Sequence, residues 1–399
     1  MMDFSLSEEH KEIVKWAHEF AEKEIRPVAA HYDETEDFPW PVLKKAAEVG
    51  LYGFDIYMQQ QADPTGLTLT LITEEIFWGC AGIGLALMGT GLPLSALASG
   101  GTQEQLLYWA PRMFGTVEEP KVAAFGVTEP QAGSDVSSLT TRAVRDGDEW
   151  VLNGRKVFIT NGGIADVHII VATVDPDLGH RGQASFIVTA DTPGFSQGKK
   201  EKKLGIRASH TAELILEDVR IPVENVVGGI DKLEGKLQKV RSGEPSGRSS
   251  SALRTFELTR PLVAIQAVGI ARAALEFATK YAKERSQFGQ PIIGHQAIAH
   301  LLAQMAVEVD AARLLTYRAS WMGAAGVTYE KAEGSMSKLK ASETAVSVTE
   351  KAIQILGGYG YIKDFPVEKW YRDAKIYTLF EGTSEIQRMV IARALSATV

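Results

Sequence analysis

The sequence predicts a multi-domain α+β protein built as helices, then an antiparallel β domain, then a helical bundle. Three observations carry this. Residues 1–120 repeat apolar positions at helical spacing between Gly and Pro breaks, residues 121–227 change to short β-branched runs separated by turn residues, and residues 253–399 return to long apolar helical patterns. The middle part is expected to curl into a barrel-like sheet and the last to pack as a four-helix bundle. A polar stretch over 228–252, including GEPSGRSSS, reads as a mobile linker between them.

Taken in order, Ser5 with Glu8 reads as a capping box, and Ile13, Trp16, Phe20 and Ile25 recur at helical spacing until Pro27 ends the run. Further helices fit Pro41–Val49, Leu67–Phe77 and the stretch opened by a second capping box, Thr102 with Gln105. Strands fit Val122–Val127, Trp150–Leu152, Lys156–Ile159, Val167–Val174, Ser185–Val188 and Glu213–Val219, with Val157 and Ile159 expected on the face opposite Lys156, Phe158 and Thr160. Later helices fit Arg260–Lys283, a segment buried through Ile298, Leu301, Leu302, Met305 and Val309, then Lys331–Leu356 and Thr383–Leu395.

Composition narrows the function. A chain of 399 residues that is 45% apolar and 23% charged is ordinary globular protein. A net charge of −8, with Lys199–Lys203 interrupted by Glu201 as the densest basic run, disfavours nucleic acid as a partner, because phosphate contacts need concentrated positive charge. Cys80 is the single cysteine, so no intrachain disulfide forms, no thiolate metal site is expected, and a cytoplasmic location fits. The N-terminal residues lack the pattern of a secretory or organelle leader. Ile76–Gln103 carries no charge over more than a bilayer's span, but its many glycines and Pro93 suit a buried, broken helix pair lining a cavity, and no membrane insertion is expected.

Dinucleotide, phosphate-loop, zinc-protease and nucleophile-elbow signatures do not occur in their required contexts. Five other segments do carry chemistry. Ala124–Asp135 (AFGVTEPQAGSD) ends a strand and turns through Pro130 and Gly133, presenting Thr128 and Ser134. Lys156–Gly163 (KVFITNGG) puts Phe158 and Thr160 on one strand face. Glu284–Gly289 (ERSQFG) ends a helix with a guanidinium suited to bidentate phosphate binding. Gln354–Tyr361 (QILGGYGY) allows a flat group close to the backbone. Phe380–Arg388 (FEGTSEIQR) holds Glu381 just before a helix. Each has a bland reading as turn, core strand, surface arginine or helix cap.

In this order the five resemble the acyl-CoA dehydrogenase family over nearly the whole chain. The resemblance implies FAD as cofactor, contacted by Phe125, Val127, Thr128, Gly133 and Ser134 of the first segment and by Phe158, Ile159 and Thr160 of the second. Arg285, Phe288, Gln296, Gln354, Gly357 and Gly358 would reach the FAD of an adjacent subunit in a homotetramer built as a dimer of dimers, and Thr383 and Glu385 complete the cofactor set. Ser134, Glu257, Arg260 and Gly382 match the substrate-side positions, although Glu257 stands where Asp is more usual. Glu381 matches the base that removes the α-proton of an acyl-CoA thioester while the β-hydride passes to flavin N5, giving the trans-2-enoyl product. Electrons then go to an electron-transferring flavoprotein. Such a base must be desolvated to lift its pKa toward neutrality. One branch of the family carries its base at the position of Thr259, which cannot serve, so that branch is disfavoured.

The chain departs from the family's pattern at Tyr57–Gly66 and in the length of 228–251, which leaves the acyl group open. Dehydrogenation of a carrier-protein thioester, or oxidase or monooxygenase chemistry on the same fold, are the alternatives, with a nucleic-acid-binding relative and an inactive assembly subunit behind them.

Overall fold

The computed structural model describes residues 5–243 and 251–397, with side chains throughout except at 60, 61, 251–258 and 397. The first helix, α1 (Glu8–Phe20), is capped by Ser7, not Ser5: the Ser7 side chain accepts the His10 N–H at 3.2 Å. Pro27 does not stop the run either. The helix passes through a π-turn at Ala21–Ile25 and a 3₁₀ turn at Arg26–Val28 into α2 (Ala29–Thr35), because Pro27 falls in the first turn of the new segment, where its missing N–H costs nothing. Trp16, expected on the buried face, is 39% exposed, whereas Ala17, Phe20 and Ile25 are buried.

There follow α3 (Trp40–Glu48), α4 (Phe54–Ala62), α5 (Thr68–Gly79), α6 (Ala81–Met88), α7 (Gly91–Gly100) and α8 (Gln103–Phe114). The Thr102–Gln105 capping box opens α8 as the spacing predicts, and the Gln105 amide also bonds Glu224 O and Val226 O, tying this helix to the chain leaving the sheet. Cys80, in extended conformation, breaks α5 from α6. The apolar stretches Ala81–Gly100 and Thr259–Glu284 are long enough to cross a bilayer but lie mostly buried inside the protein, the first as the broken helix pair that its glycines predict.

Among the described residues the middle sheet has seven strands: β1 (Ala123–Gly126), β2 (Arg142–Asp146), β3 (Glu149–Thr160), β4 (Val167–Thr173), β5 (Gln183–Thr189), β6 (Phe195–Lys200) and β7 (Thr211–Pro222). Its spine is the antiparallel β3–β7 pair, and β5 pairs β4 antiparallel. The expectation of a purely antiparallel domain is corrected at β1, which runs parallel to β4 with Ala123 opposite Val167, and at one parallel contact between β2 and β4. Two separate predicted runs are one strand, β3, while β2 and β6 are too polar to have shown a strand pattern.

Simple alternation also fails along β3. The β3–β7 register shifts between Lys156 and Ile159, Phe158 takes a φ of +59°, and its ring is 66% exposed on the inner side of the domain. Lys156, expected on the same face as Phe158 and Thr160, is instead fully buried and donates to Glu129 Oε1 (2.7 Å) and Val127 O (2.9 Å).

The polar stretch after the sheet contains a helix, α9 (Ile230–Arg241), which buries Leu233, Leu237 and Val240; residues 244–250 of the predicted linker lie outside the described set. The bundle consists of α10 (Ser251–Glu284), α11 (Gln296–Ala324), α12 (Glu333–Leu356), α13 (Val367–Lys375) and α14 (Ser384–Ala397), with a small hairpin, β8 (Ser286–Gln287) and β9 (Gln290–Pro291), between α10 and α11. Small residues let α10 pack closely: a Cβ on Gly269 would sit 2.5 Å from Glu74 O of α5. A buried charge network fixes the same junction, with Glu74 between Arg272 (3.1 Å) and Arg313 (2.8 Å) and accepting from Tyr317 Oη.

Candidate active site

The sheet, the α6–α7 break and α10 enclose one cavity. Glu381 lies in its wall beside Phe380, Thr259, Leu262, Val263 and Gln266; the sheet supplies Phe125, Val127, Thr128, Phe158, Ile159 and Thr160; and α4–α7 supply Tyr57, Leu69, Thr73, Leu85, Met88, Leu92 and Pro93. Two expected segments and the expected base thus meet, although they are separated by more than two hundred residues in sequence.

Glu381 takes a φ of +50°, a left-handed conformation that a non-glycine residue holds only when its surroundings force it. Those surroundings are visible. Lys338 of α12, fully buried, donates to Tyr377 O (2.6 Å) and Gly382 O (2.7 Å), and Gln387 Nε2 donates to Gly382 O (3.0 Å). The Thr383 hydroxyl caps α14 by accepting the Ile386 N–H. The turn that carries Glu381 is therefore held from both sides.

The carboxylate itself accepts a hydrogen bond from Thr259 Oγ1 at 2.9 Å. Burial raises its pKa above the ordinary carboxylate value, and the Thr259 bond, the Lys338 ammonium and the Arg260 guanidinium oppose that rise without cancelling it. Burial also brings the Lys338 pKa down to about 8 against the pull of Glu381. A desolvated carboxylate with a raised pKa in a mostly apolar cavity is suited to proton abstraction.

The TEP turn leaving β1 is built on the buried Glu129–Lys156 pair. Burial pushes the Glu129 pKa up, but Lys156 and hydrogen bonds from Thr140 and Thr141 outweigh it and hold the value at about 2. Thr128 lines the cavity as expected. Gly133 and Ser134, expected at the cofactor, are exposed beyond the turn and do not line the cavity.

On the substrate side, Arg260 is buried and donates Nη1 to Ser335 Oγ of α12 (3.0 Å), so it joins two helices, and its charge bears on Glu381. Gly382 and Thr383 belong to the turn behind Glu381, and Glu385 is exposed on α14. The Glu257 side chain lies outside the described residues.

A second, open groove at the other end of α10 gathers Arg285, Phe288, Gly357 and Gly358 with His295 and Tyr359. Phe288 has a φ of +53° and is 95% exposed, and the Arg285 guanidinium stands 5.8 Å from the Tyr359 ring. Gln296 and Gln354 are exposed next to this groove without lining it.

Comparison with known families and structures gives a consistent result. The acyl-CoA dehydrogenase N-terminal, middle and C-terminal domains match residues 7–115, 124–219 and 249–396. The chain belongs to the acyl-CoA dehydrogenase family. Among relatives of this acyl-CoA dehydrogenase, the short-chain-specific acyl-CoA dehydrogenase of Clostridium acetobutylicum is 42% identical, covering 98% of this chain and 99% of the relative. Butyryl-CoA dehydrogenase from Megasphaera elsdenii superposes with a TM-score of 0.88 at 36% identity, over 99% of this chain and 100% of the other. A chain in the structure of the electron-transferring flavoprotein of Acidaminococcus fermentans superposes with a TM-score of 0.87 at 38% identity, over 99% of both chains. The protein is an oxidoreductase acting on acyl-CoA, and FAD is its cofactor.

The cavity fits a large flat group. Phe158 offers an exposed ring face, Thr160 a hydroxyl, and the buried Gln266 Oε1 in the same wall has no hydrogen-bond partner among the described residues. Thr259, Lys338, Lys156 and Glu129 were not among the sequence-derived site residues. One signal for Lys338 was present: it shares a helix face with Ser335, Ala341 and Ser342, a stripe of small residues that marks burial.

Proposed function

We propose that Glu381 is the base that removes the α-proton of a short-chain acyl-CoA, and the observation that carries this is its desolvated, Thr259-bonded carboxylate in the wall of the cavity that also holds Phe158 and Thr160. FAD, when bound, supplies the hydride acceptor. Phe158 and Ile159 would pack on it, Thr160 would bond near its reacting edge, and Thr128, Phe125 and Val127 would border both it and the thioester. Lys338 and Gln387 keep the Glu381 turn fixed, so that its backbone N–H can polarise the thioester carbonyl while the carboxylate faces the α-carbon. The apolar lining keeps water from the reacting atoms.

The short-chain reading draws on the Clostridium and Megasphaera relatives. Arg285 and Phe288, whose ring stands 95% exposed beside an open groove, support a dimer-of-dimers assembly in which this groove reaches the cofactor of a neighbouring subunit. Segment boundaries at 1–120, 121–227, 228–252 and 253–399 and a cytoplasmic location belong to the same reading. An electron-transferring flavoprotein is the acceptor it names, in line with the Acidaminococcus structure.

Anaerobic titration of the flavin-loaded protein with butyryl-, octanoyl- and palmitoyl-CoA, on wild type and Glu381→Gln, tests it. Flavin bleaching by butyryl-CoA in the wild type, and its loss in a variant that retains flavin, is the expected result. Equal bleaching in both overturns the role of Glu381.

A further inference from the structure

Tyr57 came from none of the five motif segments; it opens the stretch Tyr57–Gly66 where the chain departs from its family's pattern. It nevertheless lines the same cavity as Glu381 and Phe158. Glu381 and Phe158 enter from the bundle and the sheet, whereas Tyr57 enters from α4, on the side of the N-terminal helices.

Its surroundings mark a closed end of the cavity. The Tyr57 ring lies 5.4 Å from that of Phe114, which is buried and stands 5.2 Å from the equally buried Tyr52. Packed aromatic side chains therefore back the phenol ring. The hydroxyl reaches Met88 O at 3.4 Å, at the break between α6 and α7. On the far side of that break a Cβ on Gly91 would lie 2.3 Å from Tyr57 Oη, so the bare glycine is what lets the phenol sit flush against α7. Phe114 and the Gly91 backbone thus hem in the ring from two sides. Leu69, Met88, Leu92 and Pro93 make the walls in front of it largely apolar, as an alkyl chain requires.

We propose that Tyr57 is the stop of the acyl pocket, the residue that sets how many carbons beyond the thioester this enzyme accepts. The inference rests on the short-chain reading above and names the side chain responsible for it. A chain that fits ends against the phenol. A longer one must displace a ring clamped between core and helix, or leave its terminal methylenes unburied, and each methylene gained or lost in an apolar pocket changes discrimination by roughly 10- to 200-fold.

The test is kcat/KM for butyryl-, hexanoyl- and octanoyl-CoA on the flavin-loaded full-length enzyme, wild type against Tyr57→Ala and Tyr57→Leu. Binding of the matching 3-thiaacyl-CoAs, which cannot be oxidised at the sulfur position, is measured alongside by calorimetry. The octanoyl-to-butyryl ratio is expected to rise at least about tenfold in Tyr57→Ala, with a smaller rise in Tyr57→Leu and the same order in the binding constants. Should Tyr57→Ala fail to fold, Tyr57→Leu carries the test, because it keeps an apolar side chain against Phe114. A steep wild-type preference for butyryl-CoA with ratios unmoved in the folded variants overturns the stop alone. A wild type that handles octanoyl-CoA as well as butyryl-CoA overturns the short-chain reading and the stop together.

Discussion

Replacing Thr259 by Val deletes one hydrogen bond to the proposed base and changes little else in volume. In the structure Thr259 Oγ1 lies 2.9 Å from Glu381 Oε2, and this bond is the largest of the influences that oppose the burial-driven rise of the Glu381 pKa. A hydrogen bond to a charged partner contributes about 1.5–3 kcal/mol. Because the bond favours the carboxylate over the acid, its loss raises the pKa, by about one to two units at about 1.4 kcal/mol per unit. The base must be ionised to act, so the acid limb of the kcat/KM–pH profile for butyryl-CoA shifts upward by that amount. Rates then fall about ten- to a hundredfold below the limb and recover toward wild type above it. Stopped-flow reduction of the flavin across pH measures this directly. A limb that stays at its wild-type position, in a variant with full flavin content, would refute the account of how Glu381 is tuned.

Three further outcomes are expected. Glu381→Gln should lower dehydrogenation by at least about 10²–10⁴-fold while retaining flavin. Since the folded pKa of Glu381 lies above its unfolded value, ionising it costs stability as pH rises from the unfolded pKa through the folded one, so this variant should match or exceed wild type in urea titrations at pH 8. Glu129→Ala leaves the buried Lys156 ammonium without its charged partner, and a loss of about 3–5 kcal/mol in denaturant unfolding, with weakened flavin retention, is expected. Lys338→Met removes two hydrogen bonds to the Glu381 turn, offset in part by relief of the lysine's burial; a loss of about 1–3 kcal/mol and an upward shift of the acid limb should be seen together, and a shift in neither would exclude the clamp.

The helix–sheet–helix order and the five chemical segments were legible in the sequence because each depends on local requirements. A capping box needs Thr102 and Gln105 at one spacing, and a turn leaving a strand needs the Pro and Gly of the TEPQAGSD run. Within those segments the cavity received Phe125, Thr128, Phe158, Thr160 and Glu381, but Gly133 and Ser134 fell outside it, since a bend one or two residues farther on can point anywhere that packing permits.

By itself, then, the sequence determined the fold class and the family's chemistry and singled out Glu381 as the proposed base, all of which rest on neighbours in the chain. The tertiary structure decided what that glutamate experiences. Thr259 lies 122 residues before Glu381, Lys338 comes from the helix behind it, and Tyr57 reaches the same cavity from the opposite end of the chain. A lysine within a helix reads as solvated until the small residues beside it on that helix let neighbouring segments close over it, and a tyrosine in a divergent stretch reads as surface until Gly91 makes room for it. Burial and electrostatic coupling depend on distance through space, and distance along the chain does not encode them.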